Sequence, residues 1–486
     1  MDINAKDIEL IVKQVVEKLS LEQKENTSYK AEQPKKFNNY YNAPRGNYGV
    51  FEKIEDAIEA ATFAQKEFVK EYKIHDRQLI IDSIRRASRK NVETLAKMVR
   101  DETNMGRYED KVEKHLGVIN KTPGTECLTT DAISGDYGLM IEEYAPFGVI
   151  GSITPSTNPT ETIINNTISM IAGGNAVVFN VHPNAKKASA FCLQILNKTI
   201  IEAGGPANLI TMAKEPTMDN VKKIAESKNV KLMVGTGGTA MVDSLLRLGK
   251  RTIGAGAGNP PVIVDGTADL ELAAKEIYRG ASFDNNLLCI AEKEVYVVEK
   301  SHRCLLDKMI KEGACLLDNN QVSKLLDLVF KYENGKYDVN KEWVGKDASK
   351  ILNAIGVTGN QKCKLIICDV DHNHPFVQVE QLMPVLPIVK CKDLNEAISY
   401  AVEAENGNRH TASIFSKNVD NMTLYAKEIE TTIYVKNSAT LSGLGIGGEG
   451  HSSMTIAGPT GEGITNAKSF TRRRRCMLAD GGFRII

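Results

Sequence analysis

Residues 144–180 read YAPFGVIGSITPSTNPTETIINNTISMIAGGNAVVFN. A β-rich run closes at Thr154, a loop of prolines and hydroxyls follows, an apolar-striped helix covers 160–172, and AVVFN over 176–180 makes a second strand. The alternation goes on with a helix over 188–203, a strand over 209–212, a helix over 218–227 and a strand over 231–234. Strands separated by helices of this length predict right-handed βαβ crossovers and a parallel sheet, an α/β architecture that takes nucleotides at its switch point. Strands over 261–264, 295–298, 364–368, 387–389 and 411–415 predict a second α/β domain. Ahead of all this, 54–69 and 79–99 carry helical periodicity, and the tail over 469–486 reads as extended with a break at Gly481-Gly482.

The chain has 486 residues, 42% apolar and 25% charged, which suits a globular protein large enough for two or more domains. Its 61 basic and 61 acidic residues balance, which argues against a nucleic-acid binder. The local exception, Arg472 to Arg475, reads as a solvated or subunit-facing strand, with an anionic ligand site as the other reading. No run approaches the ~20 apolar residues of a membrane helix, and the acidic first 19 residues lack a signal-peptide core, so the protein is expected inside the cell. Nine cysteines fall without a CxxC pair or zinc spacing, so neither disulfides nor a metal centre are expected.

Ile8, Ile11, Val12, Val15, Val16 and Leu19 form one apolar stripe at helical spacing. The segment over 20–48 is rich in Lys, Asn, Gln and Pro and reads as a linker. A striped helix on a tether needs a groove, either on a partner or on its own subunit.

Three segments carry candidate chemistry. Gly235-Thr236-Gly237-Gly238 joins a strand to a helix, where backbone can approach a ligand closely and free N–H groups meet an anion. Taken alone that turn is weak, being neither a GxGxxG fingerprint nor a Walker loop. Thr154-Pro155-Ser156-Thr157-Asn158-Pro159-Thr160 offers donors to a developing oxyanion; its other reading is a helix cap at Thr160. Cys289 lies in a polar turn, FDNNLLCIAEK over 283–293, that runs into a strand.

These motifs, with Gly254-Ala255-Gly256-Ala257-Gly258-Asn259-Pro260-Pro261, the EQLMPVLP run over 380–387 and Gly447-Gly448-Glu449-Gly450, resemble the aldehyde dehydrogenase superfamily over nearly the whole chain. More narrowly, the chain is similar to the CoA-acylating acetaldehyde and propionaldehyde dehydrogenases of bacterial microcompartments. The resemblance implies a Cys289 nucleophile, a thiohemiacetal, an acyl-cysteine thioester and transfer of the acyl group to coenzyme A. It implies Asn158 or Thr157 as oxyanion donor, the proline register favouring Thr157. For the cofactor it implies Thr154, Pro155, His182, Gly235, Thr236, Gly237, Gly238 and Glu380, with NAD expected and NADP left open because Ala185 stands where an acidic residue often selects NAD. Ala255 stands where hydrolytic members carry the glutamate that activates water, so thiol transfer is expected over hydrolysis. The rivals are a hydrolytic enzyme and an inert scaffold of the same fold.

On this basis residues 1–19 are expected to be an encapsulation helix that docks on a shell or cargo protein inside a microcompartment. Residues 49–129 with 146–253 are expected as the NAD-binding domain, 254–465 as the catalytic domain, and 130–145 with 466–486 as the bridging element of a homodimer or tetramer. A short substrate is expected, propionaldehyde first and acetaldehyde next. His410 and His451 read as surface or structural, since nothing pairs them with Cys289.

Overall fold

The computed structural model describes residues 44, 46–333, 335–480 and 483–485. The helix expected over 1–19, nearly all of the linker over 20–48 and the Gly481-Gly482 break lie outside them.

Buried β-branched runs build two sheets, each wholly parallel as βαβ connectivity demands. The first has six strands in the order Val50–Phe51, Ile210–Ala213, Ala176–Asn180, Val149–Ile153, Val230–Thr236 and Thr252–Ala255. From Val149–Ile153 the chain winds outward to one side, then returns and winds to the other. The switch point therefore lies between Val149–Ile153 and Val230–Thr236, where Ile153 sits beside Gly235. The second sheet has seven strands in the order Cys315–Leu317, Ile366–Asp369, Val385–Cys391, Glu294–Val298, Pro261–Val264, Thr411–Phe415 and Ile433–Lys436. Val262, Val295, Val297, Leu386, Ile388 and Phe415 pack against Ile277, Leu305 and Met309 on one face to make a continuous core.

One local expectation is refined and one corrected. The helical periodicity over 79–99 belongs to two helices, Ile74–Lys90 and Val92–Thr103, which part at Asn91. Its backbone leaves helical geometry at φ −106° and ψ 9°, and its amide Nδ2 donates at 2.8 Å to the Ala87 carbonyl that already accepts the Asn91 N–H at 3.1 Å. The helix expected from Thr160 begins instead at Pro159, with Asn158 at the cap position. Proline at the first helical position has no N–H to leave unpaired and its φ is already helical.

That helix, Pro159–Ala172, is buried along its entire length although it carries Glu161, Asn165 and Asn166. Asn166 donates to Ser152 Oγ at 3.1 Å and Asn165 to Thr122 Oγ1 at 2.9 Å, so both amides find partners inside. A third sheet is antiparallel: Asp131–Gly135, Gly138–Pro146 and the tail strand Thr471–Ala479. The arginine run lies on this exposed tail strand, where Arg473 and Arg475 reach Glu142 at 2.9 and 3.2 Å. Among the described residues no helix is long and apolar enough to cross a membrane, and no cluster of His, Cys, Asp or Glu is placed to hold a metal ion.

Candidate active site

The two large sheets offer opposite ends to chemistry. At the carboxyl ends of the first sheet's central strands sit the loop opening at Thr154 and Pro155, the loop of His182, and the turn over 235–238. At the amino ends of four neighbouring strands of the second sheet sit Cys289, Gly258, Glu380 and His410, just ahead of Glu294–Val298, Pro261–Val264, Val385–Cys391 and Thr411–Phe415.

Asp284, Asn285 and Asn286 carry φ of 46°, 54° and 63° in succession, a left-handed turn that non-glycine residues hold only under outside restraint. The restraints are visible. Asp284 Oδ1 accepts from the Arg107 N–H at 3.0 Å, Asn285 Nδ2 donates to the Gly345 carbonyl at 2.9 Å, and Asn286 Nδ2 donates to the Ala281 and Glu292 carbonyls at 2.9 Å each. Lys293 Nζ closes the turn from behind, donating to Asn286 Oδ1 at 2.5 Å, to its carbonyl at 2.9 Å and to the Leu288 carbonyl at 3.2 Å. The turn delivers Cys289 half-buried, as Cys127 and Cys315 are, whereas Cys192, Cys363, Cys368 and Cys391 are buried and Cys304 and Cys476 exposed.

A buried ion cluster ties this turn to the oxyanion loop. Lys114 Nζ donates to Asp284 Oδ2 at 2.6 Å and to Asn158 Oδ1 at 2.7 Å, and lies 3.1 Å from Glu161. Lys111 adds a second ammonium 3.2 Å from Asp284, and His115 Nε2 meets Thr160 Oγ1 at 2.8 Å. Burial works against every one of these charges. For Lys114, Asp284 and Glu161 together outweigh it and hold the ammonium protonated; for Glu161, His115 and the two lysines outweigh it and hold the carboxyl down to about 2. Since Lys114 only donates, Asn158 turns its oxygen to the lysine and its amide Nδ2 away, with one 3.2 Å contact to Thr157 Oγ1. Thr157 contributes its carbonyl to the same lysine at 3.4 Å.

Burial pushes the Cys289 thiol up to about 12, and Glu380 adds to the rise while Lys293, backbone amide and Lys114 oppose it. The resting group is therefore a thiol. His410, expected at the surface or in a structural place, is buried with its ring against Gly258: a Cβ built on that glycine would lie 2.9 Å from His410 Cγ and 2.7 Å from the Cys289 carbonyl oxygen. Glycine is required there by close approach. Burial, reinforced by Lys293, lowers His410 to about 4, so the imidazole is neutral near pH 7; Nδ1 meets Thr411 Oγ1 at 2.9 Å and Nε2 has no partner among the described residues. His451 is partly exposed.

The residues expected around a dinucleotide bear unspent polar atoms. Thr154 Oγ1 and Glu380 Oε1 are buried without hydrogen-bond partners among the described residues, Thr154 beside the switch point and Glu380 4.0 Å from Lys293. Thr236 is not free in the same way, since its Oγ1 meets Thr455 Oγ1 at 2.9 Å. Gly238 faces open space and begins the helix Thr239–Leu246, and His182 accepts the Asn184 N–H at 3.1 Å. Buried acceptors and donors left over at a switch point are what a polar ligand would satisfy. Ala255 is buried in its strand and offers no carboxylate.

A model described as the aldehyde dehydrogenase family matches residues 22–472. The chain belongs to the aldehyde dehydrogenase family. It is 45% identical to an acetaldehyde dehydrogenase (acetylating) of Bilophila wadsworthia across 100% of both chains. It is 43% identical to the propanal dehydrogenase (CoA-propanoylating) of Salmonella typhimurium, covering 90% of this chain and 93% of that one. Among solved structures, a propionaldehyde dehydrogenase from the Clostridium phytofermentans fucose utilisation bacterial microcompartment is 46% identical, with a TM-score of 0.88 over 90% of this chain and 100% of that one. The Rhodopseudomonas palustris propionaldehyde dehydrogenase, solved with bound CoA and an acylated cysteine, is 44% identical with a TM-score of 0.88 over the same shares. The residues of this site that the sequence does not single out are Lys111, Lys114, Glu161, Asp284, Lys293 and His410. A signal was present: Lys111, Lys114, His115 and Val118 stand at i, i+3, i+4 and i+7 of Tyr108–Lys121, so cations occupy the face that an apolar stripe would fill.

Proposed function

We propose that the chain oxidises a short-chain aldehyde, propionaldehyde first and acetaldehyde next, and passes the acyl group to coenzyme A. The carrying observation is the placement of the Cys289 thiol on a restrained turn joined through Lys114 to Asn158. Cys289 attacks the aldehyde carbon, its proton leaving to solvent or a neighbouring base. Asn158 Nδ2 and the Cys289 N–H stabilise the oxygen as it gains charge, with Thr157 behind Asn158. The nicotinamide cofactor supplies a hydride acceptor when bound, NAD in preference with NADP open; Thr154, Pro155, His182, the 235–238 turn and Glu380 hold it. The product on the protein is an acyl-cysteine thioester. The sulfur of the incoming CoA thiol displaces Cys289, its proton passing to the departing Cys289 sulfur or to solvent, and the neutral His410 beside Gly258 offers its free Nε2 as a hydrogen-bond acceptor.

Alanine at 255 supports transfer over hydrolysis, because no carboxylate stands there to activate water. Residues 49–129 with 146–253 serve as the cofactor domain, 254–465 as the catalytic domain, and 130–145 with 466–486 as the bridging element of a homo-oligomer. Residues 1–19, on the tether of 20–48, dock on a shell or cargo protein of a bacterial microcompartment. The relative solved from such a compartment and the striped sequence of 1–19 support that placement. NADH formation with and without CoA tests the chemistry. Sustained turnover needs CoA, and its omission leaves about one NADH per Cys289; steady turnover without CoA would establish the hydrolytic reading instead.

A further inference from the structure

The chemistry above uses one of nine cysteines, and two others meet at the edge of the second sheet. Cys315 opens the edge strand Cys315–Leu317 and is half-buried; Cys363 lies just before Ile366–Asp369 and is buried. Parallel register sets Cys315 opposite Ile366. One carbonyl then receives both residues: Leu365 accepts the Cys315 N–H at 2.9 Å and the Cys363 S–H at 3.2 Å, which brings the Cys363 sulfur up to the Cys315 backbone. The side chains meet as well, since the two thiols stand within hydrogen-bonding contact of each other, in one apolar cluster with Leu317, Leu325 and Ile366. The loop that delivers Cys363 can adjust, because Gly356 and Gly359 turn it at φ 84° and 90° with open space about both.

The pair is asymmetric. Burial, and after it the Cys315 side chain, pushes the Cys363 thiol up to about 12, and its S–H is spent on the Leu365 carbonyl. Cys315 is the sulfur that solvent reaches. Exchange therefore enters at the half-buried sulfur and is completed by the buried one.

We propose that Cys315 and Cys363 form a modification site, a dithiol that low-molecular-weight disulfides convert reversibly into an intramolecular disulfide. The Cys315 sulfur attacks one sulfur of the oxidant, giving a mixed disulfide and expelling one thiol; the Cys363 sulfur then attacks Cys315 and expels the second. The two S–H protons pass to the two released thiols, and the two electrons that the protein loses are taken up by the oxidant's S–S bond. Disulfides of this transient, redox-sensing kind are those that a reducing compartment permits. The loop they close contains Gly345 and Asp347, which accept from Asn285 Nδ2 at 2.9 and 3.0 Å on the turn ahead of Cys289. The bond fastens the segment that braces that turn. No step of it needs coenzyme A or an aldehyde.

The test treats full-length Cys289→Ser protein, in which the nucleophile no longer competes, with oxidised glutathione at pH 8, alkylates it, and reads intact and peptide masses. The expected product has lost two hydrogens, links the Cys315 and Cys363 peptides, and returns to the dithiol with dithiothreitol. Adding Cys363→Ser stops the reaction at a glutathione adduct on Cys315, and Cys363→Ala does the same without burying a hydroxyl. Adding Cys368→Ser, at the position opposite Leu317 on the same pair of strands, leaves the link intact. Backbone hydrogen exchange over 340–347 slows by about threefold or more on oxidation. A lasting Cys315 adduct with Cys363 still open to alkylation, a link from Cys315 to Cys368, or no reaction at either sulfur overturns the proposal. Equal exchange in the two states overturns the fastening of the turn.

Discussion

Removing the Asn158 side chain separates the two oxyanion donors that the sequence leaves side by side. Lys114 Nζ sits 2.7 Å from Asn158 Oδ1, which fixes the amide with Nδ2 turned toward the loop. Asn158→Ala deletes that donor but leaves Lys114 with Asp284 at 2.6 Å and Glu161 at 3.1 Å, so no buried charge is stranded. No side-chain cap bond is lost either, since Asn158 makes none to its helix. The cost therefore falls on the transition state. One oxyanion donor accounts for roughly 2.7–4 kcal/mol, or about 10² to 10³ in rate. Thr157→Ala removes only the 3.2 Å contact behind the amide and should cost less than about tenfold. Asn158→Asp keeps an acceptor for Lys114 yet puts a carboxylate where the oxygen gains charge, so its rate falls at least as far as that of the alanine variant. The assay is the single-turnover rate of NADH formation at saturating aldehyde and NAD, which isolates hydride transfer from acyl release. An Asn158→Ala rate within about threefold of the parent, beside a Thr157→Ala rate down a hundredfold, would refute the assignment and restore the proline-register reading.

Three further outcomes follow from the same geometry. With its thiol at about 12, Cys289 is thiolate in on the order of one molecule in ten thousand at pH 8, so its alkylation by iodoacetamide should climb through pH 10 without a plateau. Adding cationic nicotinamide dinucleotide should accelerate it at pH 7, and a plateau below pH 8 in the free protein would contradict the suppression. Lys114→Met leaves Asp284 and Glu161 short of a cation and should destabilise by about 3–5 kcal/mol in a denaturant titration, with a slower NADH burst; unchanged stability would mean the cluster is not coupled to folding. Burial raises Glu292 from an ordinary 4.5 to about 7 against a 2.8 Å bond from the Thr440 N–H. A raised folded pKa makes stability fall as pH climbs from about 4.5 to 7, by about 3 kcal/mol. Glu292→Gln should therefore raise the melting temperature at pH 8 and leave it unchanged at pH 4, and an equal shift at both would rule out titration as the cause.

Much of the fold was open to reading in the chain because buried parallel strands announce themselves as short runs of β-branched residues. AVVFN over 176–180, PVIV over 261–264 and TASIF over 411–415 are found where periodicity puts them. Cys315–Leu317 and Ile433–Lys436 escaped for physical reasons: both close edges of the seven-stranded sheet, the first with only three residues and the second with alternate residues buried, so neither shows a continuous apolar run. The break at Asn91 escaped because its backbone N–H and its side chain both still bond the Ala87 carbonyl, so the apolar spacing runs on either side without interruption.

The candidate site was legible where it depends on one residue type in a local motif, and illegible where it depends on charges meeting across the fold. Cys289 and the 154–160 loop stand out in the chain, but Lys114 reaches Asp284 and Asn158 over separations of 170 and 44 residues. Such a cluster writes itself only as an anomaly, cations in the buried stripe of Tyr108–Lys121, and an anomaly of that kind names no partner. The consequence is mechanical. A left-handed turn at three successive non-glycine residues costs on the order of 1–3 kcal/mol apiece, and it is the buried ammoniums, with Arg107 and Lys293, that hold it in place. Because Lys114 grips the turn and Asn158 with one atom, the nucleophile and the oxyanion donor share a common anchor, so a disturbance of either loop is transmitted to the other.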